Sequence, residues 1–454
     1  MNITKPRLQP LARGVGIAGW GTAAYVVACL LPLTTAVVIE LLAIPVPYMD
    51  EWAWTDLVYR LHVGSLTFGD LWAQHNEHRM LIPNLIALGL AALGGWNQLR
   101  ETLFSLLLVV LTQIGIFVLL RRIIALEKLP YVFLAASLML YSLAQMENWN
   151  WGFQLAWFLC NACAVWAVLL LGTSGQSWFA WLAAAAVAVI ASFSSSQGLM
   201  VWFAGLATLG LTEKRRPTQI VAWIALGIGV FAVYFHGWEH PSYHPDPLLA
   251  VYHPLTTVRY IGAYFGSVFA GWISFDAAMF VGWASLLVLA ALMWSVIASY
   301  RRDRTRAARA NSFMGLAVYA LCVSAITTAG RVGFGETQAQ ASRYTSIAIY
   351  CWITIFALGV GFGLPTALRL PSRLRLLPTA RLLQIVFVVL GVLYAGADRA
   401  GIALGKGAVA QVQLAYPALI VGRGRELMEL FPEEAPVEDW IRKLQAVKDG
   451  PYYK

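Results

Sequence analysis

The chain contains 454 residues, of which 59% are hydrophobic and 12% are charged, and its mean hydropathy is +0.66. So little polar surface excludes a soluble globular protein and is typical of a helical protein with many membrane spans. The net charge of +9 does not predict a nucleic-acid partner, because the basic residues cluster as membrane-orientation signals.

The apolar segments predict an all-α polytopic membrane protein with about eleven transmembrane helices. In chain order, the predicted spans are 15–44, 101–120, 130–146, 154–172, 178–193, 198–211, 219–236, 277–299, 311–328, 344–366 and 381–398. The segments 80–95 and 258–273 are apolar too, but both carry glycine and the first contains Pro83. We expect these two segments to be helices at the membrane interface, with a further pair of spans as the alternative.

Lys and Arg residues orient the predicted bundle. Of the 32 basic residues, 18 fall on one side, in the N-terminal segment and in the loops 121–128, 213–218, 301–310 and 368–381, whereas six fall in the loops of the other side. The positive-inside rule places the first side, with the N-terminus, in the cytoplasm. The expected location is a bacterial-type cytoplasmic (inner) membrane, with all seven histidines on the outer side.

Residues 1–398 are predicted to form the transmembrane bundle, with outer loops 45–100, 145–154, 236–276 and 329–343. An odd number of spans leaves the tail, 399–454, outside. Within it, the stretch 427–453 reads as one or two short amphipathic helices interrupted by Pro432 and Pro436. We expect a small helical cap on the outer mouth, because about 55 residues bury little core alone.

The first outer loop begins with two adjacent carboxylates. Asp50, Glu51 and Trp52 follow a proline pair that ends the first span. Carboxylates at a membrane surface are costly to desolvate unless they have partners, so two adjacent ones indicate a function. A general base needs a carboxylate beside a reacting hydroxyl. We predict Asp50 and Glu51 as catalytic residues, with Trp52 against a sugar ring. A helix cap at Asp50, with the tryptophans as interface anchors, is the alternative.

Later in the same loop, two histidines and an arginine follow one another closely. If the run 74–79 is helical, His75, His78 and Arg79 share one face and form a surface suited to a donor phosphate. Their spacing is not that of a metalloprotease, so no metal site is predicted here. Ordinary interface polarity is the alternative.

The second outer loop, 145–154, is too short to leave the membrane surface. It should place Glu147, Asn148 and Trp149 at the mouth of the bundle beside Asp50. Acid and amide hydrogen bonds combined with aromatic stacking are typical of sugar sites, so we predict that these three residues bind the acceptor or sugar. An aromatic belt alone is the alternative explanation of the tryptophan.

The later outer loops contribute histidines and arginines. The loop 236–276 carries four histidines whose intervals match no standard metal site, and its prolines predict an irregular lid. No cofactor is predicted, although a divalent cation stays open as an alternative. Arg331 and Arg343 are the two arginines of the loop 329–343, and Arg343 is predicted to pair with a lipid phosphate. For Arg343, which directly precedes a hydrophobic helix, snorkelling is the alternative.

This pattern resembles the GT-C superfamily of integral membrane glycosyltransferases. The resemblance is carried by Met49-Asp50-Glu51-Trp52 at the start of the first outer loop, by Glu147-Asn148 in the second and by the multi-span bundle, and it covers roughly the first seven spans. Those enzymes use sugars linked to a polyprenyl phosphate or pyrophosphate. The first-loop aspartate of that superfamily, here Asp50, is taken as the base that activates the acceptor.

The resemblance implies transfer of a hexosyl or pentosyl group from a polyprenyl-phosphate donor to a glycan, lipid or protein acceptor at the outer face, with inversion. Two other interpretations stay open. An O-antigen ligase or polysaccharide polymerase would rely on Arg and His of the later loops and not on Asp50. A transporter or flippase for lipid-linked glycans would carry its ionisable residues in broken helices near the middle of the membrane.

Overall fold

The computed structural model describes residues 14–173, 177–214, 216–363 and 379–452, and nearly all of its regular structure is helical. The α-helices are α1 Gly14–Leu41, α2 Ala53–His62, α3 Phe68–Trp72, α4 Leu81–Ala92, α5 Gln98–Ile123, α6 Leu129–Leu140, α7 Met146–Trp149, α8 Leu155–Thr173, α9 Trp178–Ser192, α10 Val201–Gly210, α11 Pro217–Phe235, α12 Leu249–Tyr252, α13 Pro254–Gly266, α14 Phe275–Tyr300, α15 Arg304–Arg309, α16 Asn311–Arg331, α17 Ser342–Phe362, α18 Thr379–Val421 and α19 Glu434–Val447. Two short strands, β1 Gln74–His75 and β2 His78–Arg79, form an antiparallel pair. The predicted all-α class is confirmed.

Nine helical segments in the described ranges are long and apolar enough to cross a membrane, which confirms a multi-pass membrane protein. They are Trp20–Leu41, Gln98–Ile123, Leu129–Trp149, Gly152–Gly172, Pro217–Phe235, Phe275–Tyr300, Asn311–Phe334, Ser342–Phe362 and Val388–Val421. The predicted count of about eleven is not confirmed. The basic N-terminal segment and most of the loop 368–381 lie outside the described residues.

The difference in count comes from the predicted spans 178–193 and 198–211. The corresponding helices α9 and α10 have only 15 and 10 residues. At about 1.5 Å per residue, α9 is about 22 Å long, which is less than the ~30 Å of a hydrocarbon core. A polar 3₁₀ turn, Ser196–Met200, joins the two helices and packs against α8. The hairpin therefore carries a polar tip into the interior of the bundle.

One glycine makes this tip tight. At Gly198 a Cβ would collide with the backbone carbonyl of Ala191 in α9, so the turn requires a residue without a side chain. Across the same hairpin, Trp202 Nε1 donates to Ser192 Oγ at 3.0 Å. These contacts hold the polar segment in one position against α8.

The two apolar segments predicted to lie at the interface are short helices. α4 has 12 residues and α13 has 13, so both are too short to span a bilayer. α13 packs closely along α14, where Gly282 has room for the α13 backbone but not for a Cβ. Arg259 of α13 lies 2.9 Å from Asp276 of α14 and 2.6 Å from Glu336. These ion pairs join the short helix to the bundle.

The last span does not end at 398 as the sequence predicts. α18 continues unbroken to Val421, a length of 43 residues. Asp398, at the predicted end, accepts hydrogen bonds from Ser142 Oγ at 3.0 Å and from the Leu143 amide at 2.8 Å. The neighbouring loop thus provides partners for the charge, and the helix passes it without interruption.

The tail after α18 packs on the first outer loop. In α19, the Trp440 ring stacks on Trp52 at 5.9 Å between centroids, and Lys443 Nζ lies 2.5 Å from Asp56 Oδ1. The tail and the loop share an apolar core that is distinct from the core of the bundle. That the segment 399–454 forms a cap on the outer face of the membrane remains a prediction.

The predicted orientation can be tested with two exposed positions, Thr305 and Glu433. If the basic loops are cytoplasmic, a membrane-impermeant maleimide added to intact cells should label Glu433→Cys but not Thr305→Cys. Permeabilised cells should show labelling of both, and the unmodified protein gives the background of the native cysteines. Labelling of Thr305→Cys alone in intact cells would reverse the orientation.

Candidate functional site

A cavity of about 830 Å³ opens where the first outer loop, the loop 145–154, the loop 236–276 and the turn before α17 meet. Its titratable and charged wall residues include Asp50, Glu77, His78, His244, Arg331 and Arg343. Its aromatic wall residues include Trp151, Phe153, Trp157, Tyr234, Trp238 and Tyr344. A mostly apolar cavity with a few convergent polar groups is typical of a ligand-binding site.

Asp50 lies on a tight turn at the wall of this cavity. Met49, within the 3₁₀ turn 49–52, has a φ of 49°, which is uncommon for a residue with a Cβ. The Met49 amide donates to the Leu430 carbonyl at 2.7 Å, so the tail holds the turn. His75 Nε2 lies 3.9 Å from Asp50 Oδ1. Burial lowers the pKa of His75, although Asp50 opposes the shift, so the histidine is mostly neutral at pH 7.

The run 74–79 is a β-hairpin, and the helix considered from the sequence is wrong. His75 pairs with His78 and Gln74 with Arg79, and the turn residue Asn76 has a φ of 50°. Asparagine tolerates this left-handed conformation, which favours a turn over a continued helix. Because opposite residues of an antiparallel pair share a face, the two histidines stay together while Arg79 lies on the other face.

Of the three predicted phosphate-binding residues in this run, His78 lines the cavity, whereas His75 and Arg79 do not. The Arg79 guanidinium donates to four carbonyl oxygens, those of Trp72 at 3.1 Å, Tyr234 at 3.4 Å, His236 at 2.9 Å and Gly237 at 3.0 Å. The side chain is buried. These bonds tie the first outer loop to the loop 236–276, and they direct the donors of Arg79 at the backbone rather than at a ligand.

Glu77, which the sequence analysis missed, is the centre of the charged cluster. Arg331 Nη2 donates to Glu77 Oε1, and His244 Nδ1 lies 3.1 Å from Glu77 Oε2. Burial would raise the pKa of Glu77, but the nearby His78 and Arg331 outweigh it and hold the pKa below its usual range. The ionised carboxylate fixes Arg331 at the cavity wall.

His78 has a defined tautomer. Its Nδ1 accepts a hydrogen bond from the Ser196 amide at 3.2 Å and lies 3.4 Å from Ser195 Oγ. Since an amide N–H can only donate, the neutral ring carries its proton on Nε2, 3.6 Å from Glu77 Oε1. Burial lowers the pKa of His78, which favours this neutral form. The contact also joins the hairpin to the polar tip between α9 and α10.

The loop 145–154 holds the second arginine. Glu147 Oε1 accepts from Arg343 Nη1 at 2.7 Å, and its Oε2 accepts from the Arg343 amide at 3.2 Å. Asn148 Nδ2 donates to the Arg343 carbonyl at 3.2 Å. Trp149 is fully buried and donates to the Ser142 carbonyl. Of these residues, Arg343 reaches the cavity wall, and the loop residues position it from behind.

Glu51 and Trp52 lie away from the cavity. Glu51 is fully buried, and its Oε1 approaches Glu101 Oε2 over Gly152, where a Cβ would collide with both carboxyl groups. Burial, and then the Glu101 carboxyl, raise the pKa of Glu51 well above its usual range. Two carboxyl groups so close together do not both ionise readily, so at least one of them is expected to hold a proton. Glu51 thus braces the turn beside Asp50, and Trp52 packs under the tail.

The described part of the chain contains no group of three or more His, Cys, Asp or Glu residues arranged to hold a metal ion. Of the four histidines in the loop 236–276, His240 and His244 line the cavity. His244 faces Glu77 and Arg331. The positive charge of the adjacent guanidinium disfavours a cation bound to this histidine.

Comparisons with known proteins give structural neighbours only. No family model matches the sequence, and no curated protein matches it significantly. The chain is similar to the Archaeoglobus fulgidus oligosaccharyltransferase tethered with an acceptor peptide, with 12% identity and a TM-score of 0.45, over 83% of this chain and 55% of that one. It is also similar to ArnT from Cupriavidus metallidurans bound to undecaprenyl phosphate, with 12% identity and a TM-score of 0.41, over 95% of this chain and 76% of that one.

Both neighbours are GT-C glycosyltransferases, the superfamily that the sequence resembles. The chain spans about half the length of the oligosaccharyltransferase. At this level of similarity, a functional proposal has to come from the residues of this chain.

The pair of Glu51 and Glu101 predicts a pH dependence of stability. A carboxyl group whose pKa is raised by folding contributes stability below its unfolded pKa, and that stability is lost as the pH rises through the folded pKa. The free energy of unfolding of the wild-type protein should therefore fall by up to about 1.4 kcal/mol per pH unit between the unfolded and the folded pKa of Glu51. Glu51→Gln, which cannot ionise, should flatten the decline.

Thermal midpoints of detergent-solubilised protein between pH 6 and pH 9 would measure this effect. Glu433→Gln makes the same change on the exposed surface and should keep the wild-type slope. If the thermal midpoint falls equally with pH in Glu51→Gln and in the wild type, Glu51 is not the group whose raised pKa causes the loss of stability.

Proposed function

We propose that the chain is a membrane glycosyltransferase that moves a sugar from a polyprenyl-phosphate donor to an acceptor, which is a glycan, a lipid or a protein. The cavity is the active site and faces the outer side of the membrane. Asp50 is the general base, and Arg331 and Arg343 hold the donor phosphate. The reaction inverts the configuration of the anomeric carbon.

The availability of Asp50 carries this proposal. Glu77 is committed to Arg331, and Glu147 is committed to Arg343. By contrast, Asp50 faces the neutral ring of His75, whose Nε2 lies 3.9 Å from Asp50 Oδ1, and 36% of its side chain is exposed. A general base must keep a lone pair free for the proton it receives. Among these three acids, Asp50 meets that condition.

The two arginines supply a cradle for the phosphate. Each guanidinium carries five donors in a planar fork, which is more than one carboxylate can accept. Arg331 is at the last residue of α16 and Arg343 at the second residue of α17, so both are carried on rigid helix ends. The glutamates hold the arginines at the wall while donors remain for an entering phosphate. His78, neutral and with its proton on Nε2, adds one uncharged donor nearby.

The reaction then needs one base and no acid. The acceptor hydroxyl oxygen attacks the anomeric carbon as its proton passes to an Asp50 carboxylate oxygen. The bond between that carbon and the phosphate oxygen breaks, and its electron pair leaves with the polyprenyl phosphate. The leaving group is an anion that the arginines stabilise, so it requires no proton.

The position of the charged residues favours a transferase over a transporter. The charged groups of the cavity come from loops and helix ends at one end of the bundle. A transporter would instead carry them on interrupted helices near the middle of the membrane.

Replacement of Asp50 is the most direct test. Asp50→Asn keeps the size of the side chain and removes its basicity, and a general base contributes about 10²- to 10⁴-fold. We expect sugar transfer from a polyprenyl-phosphate donor by purified protein to fall by that factor, with donor binding preserved. A thermal melt checks that the variant is folded.

Asp276→Asn is a matched control, because Asp276 is an exposed acid outside the cavity. It should transfer sugar at the wild-type rate. If Asp50→Asn also transfers sugar at the wild-type rate, the proposed base is wrong. That result would favour the ligase or polymerase alternative, in which Arg331 and His244 of the later loops carry the chemistry.

Arg331→Lys and Arg343→Lys test the phosphate cradle. Lysine keeps the charge but not the planar fork, so each variant should bind the polyprenyl phosphate about tenfold more weakly, corresponding to one charged hydrogen bond. Arg259→Lys, at an ion pair outside the cavity, should bind it normally. Unchanged binding by both cavity variants would assign the two arginines to structural ion pairs alone.

A further inference from the structure

We infer that two buried glutamines, Gln154 and Gln197, form a subsite that binds the hydroxyl groups of the donor sugar. This inference rests on the proposed function and adds the part of the cavity that receives the sugar. Both residues line the cavity, and neither belongs to the charged cluster of Asp50, Glu77 and the arginines.

The first observation concerns the burial of Gln197 and its missing hydrogen bonds. This residue lies in the polar turn between α9 and α10, and only 3% of it is exposed. Neither its Oε1 nor its Nε2 has a hydrogen-bond partner. The polar group beside it is the Cys160 thiol, which is a weak donor. A buried amide without partners destabilises the fold, so its position is explained if a ligand completes its hydrogen bonds.

Gln154 is the second buried residue of the cavity lining that has an amide atom without a partner. It ends the 3₁₀ turn Gly152–Gln154 just before α8, and it is 2% exposed. Its Oε1 is buried without a partner. The turn of Gln197 packs against α8, the helix that begins directly after Gln154. Together they offer both acceptors and donors, which is what a hydroxyl group uses.

Aromatic rings connect this subsite to the phosphate cradle. Trp157 lies one helical turn after Gln154, and its ring is 5.8 Å from that of Tyr344. The Arg343 guanidinium carbon lies 5.2 Å from the centre of the Tyr344 ring. The Tyr344 ring thus lies between Arg343 and Trp157, and Gln154 is one helical turn away from Trp157. Elsewhere on the cavity lining, Gln197 adjoins Ser196, whose amide bonds to His78.

The chemistry of the subsite selects its ligand. Amides pair with hydroxyl groups, and aromatic rings pack against the C–H faces of a pyranose or furanose. An uncharged polyhydroxyl group matches this wall, whereas a prenyl chain would leave the amides unpaired and a second phosphate would find no cation among them. The donor sugar lies next to the phosphate, so it is the group that occupies the subsite.

Binding measurements with two kinds of probe test this inference. The first probe is bare undecaprenyl phosphate, and the second is a panel of undecaprenyl phosphates that carry glucose, galactose, mannose or arabinose. At least one panel member should bind the wild type about tenfold more tightly than the bare lipid, as one or two added hydrogen bonds predict. Gln154→Leu and Gln197→Leu should each lose most of that increment and bind the bare lipid normally.

Gln98→Leu is the matched control. Gln98 is also buried, and both of its amide atoms lack partners, but it lies away from the cavity. It should keep the full increment, which separates the subsite from a general effect of buried amides. The inference is overturned if no sugar increases affinity for the wild type, or if the increment survives in both cavity variants.

These outcomes are distinct from failure of the proposed function. If Asp50→Asn abolishes transfer while the two leucine variants keep the sugar increment, the transferase stands and the subsite does not. If the sugar increment is lost in both variants but Asp50→Asn transfers normally, the subsite stands and the proposed base fails.

Discussion

The cost of placing charges away from water governs the arrangement of this cavity. A poorly solvated arginine requires partners for its charge and its donors, and removing the carboxylate of a buried ion pair costs about 3–5 kcal/mol. Arg331 is paired with Glu77, 254 residues away in sequence, and Arg343 with Glu147, 196 residues away. Each pair thus joins a late helix end to an early outer loop. The same two contacts neutralise the arginines and hold the loops in place, so the shape of the cavity depends on them.

This compensation also explains why acids of similar appearance in the sequence have different positions. Glu77 and Glu147 neutralise arginines, Glu51 faces the carboxyl group of Glu101, and Asp50 is left beside a neutral histidine. The difference lies in the partner that each acid meets, and the partner comes from a distant segment. Adjacent residues such as Asp50 and Glu51 can therefore face opposite surroundings.

Features that depend on local sequence were predictable. Apolar length is a local property, and it indicated a multi-pass helical protein. The outer loops chosen for their polar residues do meet at one cavity, and Asp50, His78, Arg331 and Arg343 line it. These residues were identifiable because charged groups next to apolar segments are rare without a function or a partner.

Features that depend on long-range contacts were not predictable. The role of Glu77 requires Arg331 and His244, which no local pattern connects to it. Asn76, a residue that favours a turn, was the local signal in this run. It predicts a hairpin instead of a helix, with Arg79 on the face opposite to the histidines. The spans 178–193 and 198–211 were overestimated because apolar composition does not measure how far a helix has to reach.

The length of α18 has a mechanical consequence. Its 43 residues correspond to about 65 Å, roughly twice the thickness of a hydrocarbon core, so one continuous helix runs from the predicted last span into the tail. The tail beyond this helix carries Leu430, whose carbonyl accepts a hydrogen bond from the Met49 amide next to Asp50. If Asp50 is the proposed base, its backbone is tied through the tail to a membrane helix, and we expect transfer to depend on the thickness of the bilayer.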